Sequence, residues 1–163
     1  MIAADLTKRL AEMRRYTLMV LDGVKDEDWF RFPDGCHTHI AWQVGHLAIA
    51  EYGLTMKFVR GAQPTDDFIP SEYSDLFGRG STPSGADDLP SVAEIRSAFE
   101  AVHTKAMEEV PNYSVELLAE SVGFEHPLFK TKGNAVSWCA NHEMTHAGQI
   151  ALLRRMLGYE IRF

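Results

Sequence analysis

Leu6, Leu10, Met13, Thr17, Val20 and Leu21 recur at spacings of three and four, with Lys8, Arg9, Glu12, Arg14 and Arg15 between them. That period lays one apolar stripe along a helix and predicts a first amphipathic helix ending near Gly23. Val24 to His37 contains Pro33, Asp34 and Gly35 and reads as a connection, with Trp29, Phe30 and Phe32 covering one end of the core. From Thr38 or His39 to Arg60 the chain is apolar around most of its circumference, through Ile40, Trp42, Val44, Leu47, Ile49, Leu54, Met56 and Phe58. Such a helix is buried on most sides, and Gly61 is its stop signal.

Gly61 to Pro90 changes character, with four prolines (Pro64, Pro70, Pro83 and Pro90) and runs of Gly, Ser and Asp. Its Phe68, Ile69, Tyr73, Leu76 and Phe77 are too many apolar groups for a disordered linker, so the segment is expected to pack across the helices as a crossover. Ser91-Val92-Ala93-Glu94 has the form of a capping box and opens a third helix. Val92, Ile95, Phe99, Val102 and Ala106 mark its inward stripe, and Pro111 closes it. Ser114 to Glu120 suggests a short helical turn, and Val122 to Lys132 an extended segment. Asn134 is the expected N-cap of a fourth helix whose inward stripe is Val136, Cys139, His142, His146, Ile150, Leu153 and Leu157, with Gly158 as the exit. The pattern predicts an all-α fold, a four-helix bundle with one long crossover between helices 2 and 3, forming a single domain over residues 1–163.

Composition narrows the function classes. With 45% hydrophobic and 24% charged residues the chain has the make-up of an ordinary globular protein. A net charge of -7 argues against a nucleic-acid surface, which needs clustered Lys and Arg. Asp5, Lys8 and Arg9 interrupt the N-terminal apolar positions, so neither a signal peptide nor a membrane span is expected there. Cys36 and Cys139 are too few for a disulfide framework, and a cytoplasmic location is the expectation. Glycine-rich phosphate loops and the Gly-x-Ser-x-Gly elbow are missing from the sequence.

The chemistry concentrates in His142-Glu143-Met144-Thr145-His146. Histidines four apart stand on one helical face and can share a metal ion. The same letters spell His-Glu-x-x-His, in which zinc proteases use the glutamate as general base. A protease of that kind needs a third ligand downstream, but the residues after His146 contain no histidine and one carboxylate, Glu160. His46, in the second helix, offers a third nitrogen instead. Three neutral imidazoles suit zinc, nickel or another late divalent first-row ion and leave a coordination position open. Glu143 lies about 100° round the helix from His142. It is the candidate base, or a group that orients a ligand, and otherwise faces solvent or another helix. Cys139 reads as a small buried residue, Gln149 as a packing residue or outer partner, and His39 as a cap or pocket-rim residue. Three core histidines satisfied by hydrogen bonds remain an alternative to the metal.

The stretches Ile40-Ala41-Trp42-Gln43-Val44-Gly45-His46-Leu47-Ala48 and His142-Glu143-Met144-Thr145-His146-Ala147-Gly148-Gln149-Ile150 resemble the DinB-like (DNA-damage-inducible) metal-binding four-helix bundles, also called YfiT-like metalloenzymes. Asp75-Leu76-Phe77-Gly78 and the helix start Leu89-Pro90-Ser91 are similar too. The resemblance implies one divalent metal on His46, His142 and His146. It also implies hydrolase or thiol S-transferase chemistry, with a low-molecular-weight thiol activated against a small electrophilic substrate. The alternative is a non-catalytic bundle that binds metal or a small ligand for sensing or stability. A homodimer is compatible with either reading.

Overall fold

A computed structural model describes residues 2–161 of the chain. Among them every regular element is helical, and strand pairing is confined to one isolated bridge between Ser121 and Thr131. Four helices are long: α1 (Ala3–Leu21), α2 (Ile40–Tyr52), α4 (Val92–Glu109) and α6 (Lys132–Met156). Two are short: α3 (Tyr73–Phe77) and α5 (Val115–Ala119). No helix is long and apolar enough to cross a membrane among the described residues.

The helix starts follow from local chemistry. His39 caps α2, its Nδ1 accepting from the Trp42 N–H at 3.1 Å. The ring therefore carries its proton on Nε2, which donates to the Ser84 carbonyl at 2.8 Å and ties the long connection to the start of the helix. Ser91 and Glu94 form the expected capping box of α4. The last long helix begins earlier than its sequence suggests. Thr131, not Asn134, is its N-cap, with the Asn134 N–H donating to Thr131 Oγ1 at 3.2 Å. Gly133 lies inside the first turn because α5 passes so close that a Cβ there would stand 2.9 Å from the Leu118 carbonyl oxygen. Its role is close approach rather than helix breaking.

Beyond Tyr52, α2 continues through a π-helical turn, Gly53–Lys57, and a last α-helical turn, Phe58–Arg60, before Gly61 leaves at φ 83°. The connection that follows is more regular than its prolines suggest. It folds α3 against α2, burying Ile69, Tyr73 and Phe77. The segment from Val122 to Lys132 is irregular apart from its isolated bridge.

Helix α1 packs along α6, α2 along α4, and α2 also against α6. The enclosed core has two apolar clusters. One holds Leu6, Leu10, Val136, Cys139 and Ala140 and the other Val20, Leu21, Ile150 and Leu153, so on α1 and α6 they divide around Arg14 and Glu143. At that boundary Arg14 Nε donates to Glu143 at 2.8 Å, Nη1 to the Phe99 carbonyl at 2.9 Å and Nη2 to Glu51 at 2.5 Å. His103 donates from Nδ1 to the second Glu51 oxygen at 2.7 Å, and the Arg14 guanidinium lies 3.5 Å from the Phe99 ring centroid. One buried charge cluster thus joins α1, α2, α4 and α6.

This arrangement corrects two sequence expectations. Arg14 belongs to the inward stripe of α1, and Met13 is only half-buried. On α6 the buried positions run Val136, Cys139, Ala140, Glu143, Ala147, Ile150, Leu153 and Arg154, while His142, His146 and Leu157 are half-buried beside them. The buried carboxylate of the stripe is Glu143, matched by a cation on α1. Removing Arg14 leaves two buried carboxylates facing each other with only His103 beside Glu51. We expect Arg14→Met to destabilise the fold by about 3–5 kcal/mol, the usual cost of breaking one side of a buried ion pair, read as a lowered urea midpoint. A midpoint equal to wild type would show that the cluster does not hold the helices.

Candidate metal centre

Helix α2 presents His46 toward His142 and His146 on adjacent turns of α6. His142 Nε2 lies 3.4 Å from His46 Nε2 and 3.2 Å from His146 Nε2. The ligand atoms of all three residues lie within 4.8 Å of one another. His46 is buried, and the other two are half-buried. The structure therefore brings together the three histidines singled out from sequence.

The outer nitrogens decide what the cluster can do. His46 Nδ1 stands 2.6 Å from the Phe77 carbonyl oxygen, and His146 Nδ1 stands 2.5 Å from Gln43 Oε1. Gln43 uses its own amide N–H on Thr38 Oγ1 at 3.0 Å, which leaves its oxygen to accept from His146. Both rings thus hold their proton on Nδ1 and turn an Nε2 lone pair inward. His142 Nε2 can supply at most one proton between two such lone pairs, so the cluster is short of positive charge. A bound cation would provide it. Zinc–nitrogen bonds of about 2.0–2.1 Å in a tetrahedral shell put neighbouring nitrogens about 3.3 Å apart, close to the spacing of His142 Nε2 from each of the other two rings. The residues present fit a divalent ion on His46, His142 and His146.

Electrostatics agree with the geometry. Burial lowers the His142 pKa to about 4, helped by His46, and that of His146 to about 3, helped by His142 and then His46. Burial also lowers His46, against the pull of the Phe77 carbonyl. The imidazoles are neutral at pH 7, the form that binds metal.

A cleft of about 640 Å³ opens onto His46 and His142, with walls that include Leu54, Phe58, Phe129 and Trp138 and a rim that includes Arg79 and His126. Trp42 stacks on His46, with ring centroids 4.9 Å apart, and donates from its indole N–H to Ser81 Oγ at 3.0 Å. Gly45 admits Phe77 so closely that a Cβ there would lie 2.5 Å from its ring. This contact seats the carbonyl that orients His46. The π-helical turn contributes Gly53 and Leu54 to the same wall.

Glu143 is not brought to the histidines. Its carboxylate is bound to Arg14 on the core side of α6. Burial pushes both carboxyls of the ion cluster up. At Glu51 the attraction of Arg14 and His103 outweighs burial and holds the group below its usual range. At Glu143 burial, reinforced by repulsion from Glu51, prevails over Arg14 and leaves the group above its usual range. Cys139 is buried beside the same charges, with a thiol pushed well above its ordinary value by burial. Gln149 is exposed, contrary to the packing role expected of it.

Several contributors were not singled out from sequence. Gln43 lies three residues before His46, one helical turn away, and that spacing is a usable signal. Arg14 is a charge on an apolar stripe, also a usable signal. The Phe77 carbonyl is backbone and leaves no mark in residue type. Arg79 and His126 sit in irregular segments that no periodicity ties to the histidines.

An unfolded histidine takes up its proton near pH 6.5, whereas His142 and His146 resist it until about pH 4 and about pH 3. Between those values the unfolded chain binds more protons than the folded one, so stability rises with pH. We expect the urea midpoint of metal-free protein to fall as pH drops from about 6.5 toward 5. The fall should be shallower in His142→Gln/His146→Gln. Equal slopes in the two proteins would contradict this assignment.

No curated protein matches the chain. The sequence profile described as the DinB superfamily matches residues 9–150, a span that holds all three histidines and the four long helices but for the ends of α1 and α6. The chain belongs to the DinB superfamily.

Proposed function

We propose that this chain is a divalent-metal-dependent enzyme that activates a low-molecular-weight thiol for transfer to a small electrophilic substrate. The observation that carries this reading is the convergence of three neutral imidazoles, two of which, His46 and His142, line an open cleft. A closed structural metal site needs a fourth protein ligand, and no carboxylate or thiol joins the histidines among the described residues. Zinc or nickel is the ion we assign to it. Bound there, such an ion lowers the pKa of a thiol or water at its open position and favours a nucleophile at neutral pH.

The protein's own part is orientation and exclusion of water. Phe77 and Gln43 fix the tautomers of His46 and His146, so neither ring must reorient to bind. Phe58, Phe129 and Trp138 offer an apolar wall to the electrophile. In the transfer the thiol proton passes to solvent water at the open cleft, the sulfur forms a bond to the electrophilic carbon, and the leaving group departs with the electron pair of the bond that breaks. Water from the same position would give hydrolysis, and the apolar wall favours the thiol. Glu143, held by Arg14 away from the histidines, has no part in the transfer on this reading. We take the four long helices as a four-helix bundle in one domain, with Gly61 to Pro90 as the crossover. The two free cysteines, Cys36 and Cys139, suit a reducing cytoplasm.

Protein purified without a histidine tag should carry about one divalent ion per chain by mass spectrometry of metals, and His142→Ala should lose most of it. Equal, low content in both proteins would remove the site. Wild type should also consume small thiols in the presence of an aromatic electrophile at a rate abolished by a chelator and restored by zinc or nickel. A rate indifferent to metal would remove the transferase reading.

A further inference from the structure

Two side chains that the reading above leaves without a role stand at the rim of the histidine cleft, Arg79 and His126. Arg79 is the second residue of the turn Gly78-Arg79-Gly80-Ser81, closed by the Ser81 N–H on the Gly78 carbonyl at 3.1 Å. Gly80, at the third position, has φ 92°, the left-handed conformation that a type II turn requires there. Both sides of the turn are fastened to α2, through the Phe77 carbonyl on His46 and through Ser81 Oγ on the Trp42 indole. The Arg79 backbone is therefore fixed relative to His46. Arg79 is exposed and lines the cleft, and its guanidinium has no hydrogen bond or ion pair among the described residues.

His126 reaches the same cleft from the segment between α5 and α6. Its ring stacks on Phe129, with centroids 3.9 Å apart and planes 20° apart. Its Nδ1 accepts from the Leu128 N–H at 3.3 Å, so the neutral ring carries its proton on Nε2. That N–H has no partner among the described residues. A planar cationic fork and a second donor thus border a cleft whose walls are mainly apolar.

We propose that Arg79 and His126 are specificity-determining residues that select a ligand carrying a carboxylate on an apolar body. The proposal rests on reading this cleft as the substrate site, and does not depend on which nucleophile is used there. Glu125 lines the same rim, exposed, and its negative charge opposes a carboxylate. It provides a control of opposite sign.

The test uses zinc-reconstituted protein and two probes with the same phenylpropyl body, 3-phenylpropionate and 3-phenylpropanol, with binding followed by calorimetry. Zinc attracts the carboxylate in every variant alike, so the contribution of each side chain is the change in the ratio of the two affinities. Arg79→Gln should lower the preference for the carboxylate about tenfold. His126→Phe, which keeps the stack and loses the donor, should lower it more than His126→Gln, which keeps an N–H. Glu125→Gln should raise it. A ratio unchanged by Arg79→Gln overturns the proposal, as does an Arg79→Gln effect equal on both probes. If that ratio depends on Arg79 while thiol consumption is metal-independent, the thiol reading fails and the selector stands. If metal-dependent thiol chemistry is found with a ratio indifferent to Arg79, the selector fails alone.

Discussion

Arg14 is the only cation bonded to two carboxylates that are themselves almost wholly inaccessible among the described residues, and the relative placement of the helices depends on it. Taking one guanidinium and two carboxylates out of water costs several kcal/mol per ion before any attraction is counted. The cost is met only if each donor finds its acceptor at once, which requires α1, α2, α4 and α6 in one register. Apolar side chains of similar volume would tolerate a helix sliding or rotating by part of a turn. The ion cluster does not, because a carboxylate displaced from Arg14 is left buried beside another.

That register is what sets the histidines. His46 lies little more than a turn before Glu51 on α2, and His142 adjoins Glu143 on α6. Pinning Glu51 and Glu143 to the same guanidinium therefore fixes the approach of the two helices within about a turn and a half of the histidines. Successive residues of a helix point about 100° apart, so with Glu143 turned into the core His142 is directed to the flank, where the cleft lies. The half-buried state of His142 and His146 follows from this rotation. It gives them low pKa values through burial while leaving His142 in contact with the cleft.

The sequence makes much of this readable, and the limits are physical. Apolarity around most of the circumference located α2, and the three-and-four spacing located the other three long helices, because it reports one buried face per helix. It placed His142 and His146 in that face and Arg14 outside it, because a pattern of apolar letters assigns polar residues to the outside by default. A buried ion cluster inverts that default, and its partners are distant in sequence: Arg14 and Glu143 are linked only through tertiary packing. The clustering of the three histidines was legible because His142 and His146 stand four residues apart on one helix and His46 is a polar residue on an otherwise apolar one. The atoms that orient two of them were not, since one is a main-chain carbonyl and the other a glutamine amide with many possible roles. Thr131 was hidden as a cap because Gly133 carries the outward signs of a break.

The spelling His-Glu-x-x-His is where local and tertiary information diverge most. In a zinc protease the motif's glutamate acts beside the metal, so the letters alone suggest a complete hydrolytic unit. Here His46 and His142 line the cleft, the glutamate faces the core, and a guanidinium holds it there. Swinging Glu143 round to the cleft would strip Arg14 of one of its two carboxylates and leave the guanidinium with an unmet N–H in the core, a change opposed by the same desolvation that makes the cluster rigid. A group that anchors the fold in this way is poorly suited to exchange protons with a substrate. On the function proposed above, proton transfer in this cleft falls to groups at its surface, which separates the part of α6 that builds the protein from the part that borders the cleft.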